Sequence, residues 1–282
     1  MKRLGKVGEN ALRLDAWDKV TGRATYPSDL YADGMLHVAV LRSPHPHANV
    51  QSIDLSKARS LSGVAAAICG DDIDGPNRYG LISPDQPVLA ETGGKVRYVG
   101  DAVAAVAANS EEAARRALEL IEVDYELLPP VTSAMHALEE GVPLVHPDHG
   151  SNLLHEVKLE RGDVEAAFRD SDIVVESVYT TPFIDHAFLQ PEAGVARLDS
   201  HGRVAIWVGT QWPHEDRRQI SHALGLPEED IRVIQMTTGG AFGGREDISV
   251  QIILALMALR TGRTVKMVYT RPESLIRGTK RH

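Results

Sequence analysis

The chain has 282 residues, 43% of them hydrophobic, enough to bury one large core or two smaller ones. Its formal charge of -9 and pI near 5.7 argue against a polyanionic partner such as nucleic acid, which is held by clustered Lys and Arg. No apolar run approaches the roughly 20 residues of a membrane span, no export signal is evident at the amino terminus, and Cys69 alone makes no disulfide or thiolate cluster, so a cytoplasmic protein is expected.

In chain order, short apolar runs separated by turns come first: 35-MLHVAVLRS-43, 63-GVAAAICG-70 and 96-VRYVGDAVAAVAAN-109. Ser110 then reads as the N-cap of a helix with two acids in its first turn, and the helix feeds an alternating strand that ends at Leu128-Pro129-Pro130. That proline pair divides the chain into two blocks. Residues 172–199 read as strands broken by a proline-bracketed turn, and 203–211 as an apolar strand. Next comes a helix over 213–225, with Pro213 in its first turn and Gly225 past its end. Residues 231–236 read as a strand, 248–260 as a helix apolar nearly all round and closed by Gly262, and 264–270 as a final strand. The order predicts an α+β fold.

The most informative stretch is 237-TTGGAFGGREDISVQ-251, with four glycines in six positions between a strand and a buried helix. Glycine lacks Cβ, so it tolerates positive φ and lets main chain approach a ligand, while free N–H groups near a helix start favour anionic or strongly accepting atoms. The nucleotide forms of such a cradle fail here: a P-loop needs Lys-Ser/Thr after its last glycine, where Arg245-Glu246 stand, and a dinucleotide fingerprint needs glycine at Ala241. A plain packing turn is the competing reading, against which Phe242 and Glu246 weigh.

Four spaced motifs carry a resemblance: 19-KVTGRATYPSDL-30; 96-VRYVGDAVAAVAA-108 with its sequel 119-ELIEVDYELLPPV-131; 209-GTQWPHEDRRQIS-221; and 239-GGAFGGRE-246. The chain resembles the N-terminal part of the molybdenum-binding subunit of the xanthine dehydrogenase and aldehyde oxidase family, the molybdenum hydroxylases. The resemblance implies an N-terminal extension over 1–18, an α/β-hammerhead domain over 19–130, and the first, incomplete part of a molybdopterin-binding α+β domain over 131–282.

By the same resemblance, Gln211 matches a glutamine that hydrogen-bonds an oxygen ligand on molybdenum. Gly240, Ala241, Phe242 and Gly243 match the segment whose main-chain N–H groups meet the metal and pterin, the metal itself being held through the pterin. Glu246 matches a carboxylate that contacts the substrate ring in purine-oxidising members, which favours an N-heterocycle, hypoxanthine or xanthine first. Aldehyde or nicotinate-type hydroxylation is the alternative, and a non-catalytic half-subunit or assembly scaffold the alternative of another class. Ala241, Arg245 and Gln190 depart from the usual glycine, lysine and glutamate. The family's catalytic base lies beyond the matched region, so the isolated chain is expected to be inactive. The remaining part of the molybdenum subunit, an iron–sulfur subunit with [2Fe-2S] clusters and an FAD subunit are the implied partners.

Other features read as structural. His45 and His47 are spaced for chelation but lie in a proline-held loop without a third ligand. His186 reads as a wall histidine, Cys69 as a small buried hydrophobe, and Asp71, Asp72 and Asp74 as a solvated turn.

Overall fold

The computed structural model describes Gly8 and residues 12–281. The expected extension over 1–18 therefore lies mostly outside the described residues. The first half contains α1 (Ala16–Val20), β1 (Leu36–Arg42), β2 (Ala48–Asp54), α2 (Ser56–Ser60), β3 (Val64–Cys69), β4 (Arg78–Tyr79), β5 (Gln86–Pro87), β6 (Lys95–Val96), β7 (Ala102–Ala108), α3 (Glu111–Leu118) and β8 (Glu122–Leu127). The second half contains α4 (Ala134–Ala137), α5 (Val164–Asp170), β9 (Ala193–Leu198), β10 (Val204–Val208), α6 (Pro213–Leu224), β11 (Ile231–Gln235), α7 (Gln251–Thr261), β12 (Val265–Val268) and α8 (Arg271–Arg277).

A mixed seven-stranded sheet runs β11-β10-β9-β12-β1-β7-β3 through both halves. The junction is the parallel pairing of β1 with β12, Leu36 opposite Val265, so strands from opposite ends of the sequence share one ladder. A second sheet, β6-β2-β8, lies within the first half.

Local chemistry sets the helix ends. The Ser110 hydroxyl accepts from the Ala113 N–H at 3.1 Å, satisfying one of the orphan donors that open α3. Pro213 starts α6, and Gly225 ends it at φ +66, a left-handed conformation that costs a side chain Cβ strain. Helix α7 is buried from Gln251 to Ala258 and packs on β9, β10 and α6. Its Ile252, Ile253, Leu254, Leu256 and Met257 each contribute roughly 1.5–3 kcal/mol of burial, which anchors the second half.

Two expectations need correction. The helix expected from residue 248 begins at Gln251, because the Gln251 side chain takes the Ser249 N–H at 2.7 Å and holds a bend in front of it. Of the strands expected over 172–199, only β9 forms. Residues 172–182 have no ladder partner among the described residues, and Ile173, Val175, Val178 and Tyr179 stand exposed. Their strand-like pattern is real, but a strand needs a neighbour to take its N–H and C=O groups.

The side features behave mostly as structural groups. His47 is buried, with Nδ1 at 2.8 Å from the Pro129 carbonyl, and His45 packs edge-on against Tyr125. Cys69 is a buried free thiol whose pKa burial pushes up to about 11. Asp71 and Asp74 are exposed, as a solvated turn requires, while Asp71 also accepts from Thr92 and half-buried Asp72 pairs with Arg59.

Candidate functional site

Strands β10 and β11 run parallel in register, Val208 opposite Gln235, and their carboxyl ends leave the sheet side by side. The carboxyl edge of adjacent parallel strands is where open sheets bind ligands. From this edge β10 continues into Gly209, Thr210 and Gln211, while β11 feeds the glycine-rich loop.

Arg245 ties these pieces together. Its main-chain N–H donates to Gln211 Oε1 at 3.2 Å, and its carbonyl accepts from the Gln211 N–H at 3.0 Å. The guanidinium is buried, lies 4.1 Å over the Phe188 ring, and donates to the carbonyls of Gly240 at 2.9 Å, Gly209 at 3.4 Å and Gln190 at 2.5 Å. Burial pulls the guanidinium below its ordinary pKa, and the neighbouring Glu192 carboxylate opposes that. One planar fork thus fixes the loop, the end of β10 and the wall over 188–190, which an ammonium with a single point of charge does not reproduce.

The loop itself is tight. Gly244 N–H closes onto the Ala241 carbonyl at 2.8 Å, and Gly240, Phe242 and Gly243 have φ of +101, +53 and +89. A Cβ on Gly244 would come 2.8 Å from the His186 ring, and one on Gly239 would come 2.6 Å from Gln190 Cβ, so close packing of the wall requires both glycines. Phe242 holds its left-handed backbone with its side chain 68% exposed. A non-glycine residue strained by about 1–3 kcal/mol without burial to offset it is a feature of functional loops.

Among the described residues, the main-chain N–H groups of Gly240, Ala241, Phe242 and Gly243 meet no protein acceptor. Gln211 spends its Oε1 on Arg245, which leaves Nε2 as a free donor. Gln190 Oε1 takes the Gly239 N–H at 2.7 Å while its buried Nε2 has no partner. A row of unpaired donors beside a strand end suits an anionic, acceptor-rich group. Molybdopterin fits that donor set.

Glu246 follows the turn, half-buried, and its carboxylate accepts no hydrogen bond among the described residues. It precedes Val250, the cap of α7, by four residues, so it does not act as a first-turn acid for that helix. His186 lies against Gly244 as a wall residue. Sequence reasoning treated Arg245 only as a departure and passed over Phe188, whose contacts join positions far apart in the chain.

A cavity of about 580 Å³ lies elsewhere, between the 79–101 region and residues 131–154.

A mixed sheet whose parallel strand ends carry a donor-lined glycine loop places the chain among cofactor-binding α+β proteins. Residues 21–129 match the aldehyde oxidase and xanthine dehydrogenase a/b hammerhead domain, and residues 145–282 match the molybdopterin cofactor-binding domain. The chain belongs to the xanthine dehydrogenase and aldehyde oxidase family of molybdenum hydroxylases and corresponds to the N-terminal part of their molybdenum subunit.

It is 44% identical to the nicotinate dehydrogenase large molybdopterin subunit of Eubacterium barkeri, over 98% of this chain and 64% of that protein. It is also 44% identical to a probable xanthine dehydrogenase component of Bacillus subtilis, over 96% of this chain and 36% of that protein. Quinoline 2-oxidoreductase from Pseudomonas putida 86 superposes with a TM-score of 0.88 at 31% identity, covering 98% of this chain and 36% of that one. The chain thus spans less than two thirds of the length of these relatives.

Proposed function

We propose that the chain forms the pterin-facing N-terminal part of a molybdenum hydroxylase that oxidises an N-heterocycle with water, hypoxanthine or xanthine first. The observation that carries this reading is the row of unpaired N–H groups from Gly240 to Gly243, set beside the free Nε2 of Gln211.

Molybdopterin with its metal, when bound, supplies the two-electron sink for C–H oxidation. The chain's own groups bind and orient. Gly240, Ala241, Phe242 and Gly243 would hold the cofactor through their N–H groups, and Gln211 Nε2 would donate to it from the end of β10. Glu246 offers its carboxylate as acceptor to a ring N–H of the substrate. A nicotinate-type substrate is the second reading, favoured by the likeness to the Eubacterium barkeri subunit.

The base and the electron path come from other polypeptide: the remainder of the molybdenum subunit, an iron–sulfur subunit with [2Fe-2S] clusters, and an FAD subunit. Partial coverage of the relatives and the unpaired strand-like segment over 172–182 support this. Buried Cys69, the lone cysteine, leaves no set of thiolates for a cluster on this chain and suits a cytoplasmic setting. We divide the chain functionally into 19–130 and 131–282, with the site on the second part.

The test is turnover by the purified complex on xanthine, hypoxanthine, nicotinate and an aliphatic aldehyde, with the parent and Glu246→Ala. The reading expects the variant to lose at least about tenfold in kcat/KM on its heterocycle, since a removed hydrogen-bond partner to a charged group is worth roughly 1.5–3 kcal/mol. A complex that turns over only the aldehyde, or a variant with unchanged heterocycle kinetics, overturns it.

A further inference from the structure

A second constellation lies in the large cavity and shares no residue with the glycine loop. After β8 the chain turns back over the first half, held by Arg97 Nε on the Val145 carbonyl at 3.1 Å. Asn152 braces this linker, accepting the Val145 N–H at 2.9 Å and donating to the carbonyls of Ala137 and Pro143. The linker then makes a 3₁₀ turn, Pro147–His149, capped by His146 and ended by Gly150 at φ +68.

Side chains three apart eclipse in a 3₁₀ turn, so His146 and His149 fall on one face. Their rings stand 5.5 Å apart at 88°. Both turn a nitrogen toward the same oxygen of Asp85, on the loop before β5. His149 Nε2 lies 3.3 Å from Asp85 Oδ2 and His146 Nδ1 lies 3.8 Å from it. One ligating atom from each of the three residues falls within 4.8 Å of the others.

We propose that Asp85, His146 and His149 form a binding site for a zinc-class divalent cation, with the fourth coordination position open to the 580 Å³ cavity. Zinc bonds of about 2.0–2.2 Å in tetrahedral geometry separate donor atoms by about 3.3–3.6 Å. The His149–Asp85 distance already equals such an edge, and the His146–Asp85 distance closes to it with a few tenths of an ångström of side-chain movement.

Two nitrogens and one carboxylate oxygen are borderline ligands suited to zinc rather than to calcium or magnesium. The bound ion joins the 131–154 linker to the loop that carries Asp85, so it clamps the linker onto the first half.

The test uses the full chain without an affinity tag, or the complex that contains it, stripped with chelator and titrated with zinc or cobalt(II). One zinc per chain is expected, with visible cobalt bands of tetrahedral intensity and a melting temperature that rises with zinc. Asp85→Asn and His149→Ala each weaken zinc binding by more than roughly 100-fold, since even second-layer partners of metal ligands are worth 10–100-fold. His155→Ala, an exposed histidine outside the cluster, leaves binding unchanged. Binding that survives in both ligand variants, or no uptake by the parent at micromolar zinc, overturns the proposal. His149 is itself exposed, so its replacement leaves the fold intact and a loss of binding reads on the site.

Discussion

Gln211 and Arg245 are joined twice: the Arg245 N–H donates to Gln211 Oε1 at 3.2 Å, and the Gln211 N–H donates to the Arg245 carbonyl at 3.0 Å. The first bond decides which end of the Gln211 amide faces outward. With Oε1 committed to the main chain, Nε2 is the group left for a ligand. Substitution separates the two ends. Gln211→Glu keeps an acceptor for Arg245 and removes the donor, so the complex should keep its melting temperature and lose about 100-fold in kcat, the range seen when one positioned donor is removed. Gln211→Ala removes both and should also destabilise by about 1–3 kcal/mol, the cost of an unsatisfied N–H. Full activity in Gln211→Glu would sink the assigned role of Nε2.

The glycines of the loop serve different ends, and a pair of substitutions distinguishes them. A Cβ on Gly243 would meet only His186 Nε2, at 3.9 Å, so Gly243→Ala should cost about 1–2 kcal/mol through its φ of +89 alone. A Cβ on Gly244 would drive into the His186 ring at 2.8 Å and crowd Phe188 at 3.1 Å. Gly244→Ala should then cost about 1–3 kcal/mol by overpacking, and His186→Ala in the same chain should recover most of it. Thermal melts of the single and double variants check this; no recovery in the double variant rejects the steric account.

The elements whose ends depend on neighbouring residues were legible in the sequence. Ser110, the Pro213 and Gly225 pair, and Gly262 mark α3, α6 and α7 through caps and backbone angles that need no tertiary information. The segment 172–182 misled because period and composition report which residues suit a strand, never whether a partner strand is present. The start of α7 was misplaced because the Gln251 side chain, reaching back to Ser249, sets it. At the site the glycines were visible, whereas Arg245 acts on Gly209, Gln190 and Phe188, positions that only the folded sheet edge brings together. The cluster of Asp85 with His146 and His149 was missed for the same reason, although His-Pro-Asp-His spacing alone signalled two imidazoles on one turn.

Asp216 gives a pH signature beneath the site. It is buried in α6, where Oδ2 accepts from Gln251 Nε2 at 3.0 Å while Oδ1 has no partner. Burial raises its pKa to about 6, against the opposing hydrogen bond from Gln251. An unfolded aspartate titrates near 3.9, so the folded state holds the proton more tightly. The associated stability is fully present below about pH 4 and is lost as pH rises through about 6. Asp216→Asn keeps a neutral acceptor for Gln251 and removes that loss. The variant should match the parent near pH 4 and exceed it by about 3 kcal/mol above pH 6, as measured by denaturant melts across that window. A difference that is constant with pH rejects ionisation of Asp216 as the cause.

The exposed strand-like segment has its own test. Ile173, Val175, Val178 and Tyr179 are 80%, 84%, 89% and 88% exposed, and the main chain of 172–182 lacks ladder hydrogen bonds among the described residues. Apolar residues on an unpaired extended chain form a template for strand addition. If the remaining part of the molybdenum subunit pairs here, amide hydrogens of 172–182 exchange freely in the isolated chain and become protected in the complex. Val175→Lys then weakens assembly by at least about tenfold without lowering the melting temperature of the chain alone, because Val175 buries almost nothing within it. Protection that is already complete in the isolated chain, or assembly indifferent to Val175→Lys, rules this segment out as the seam.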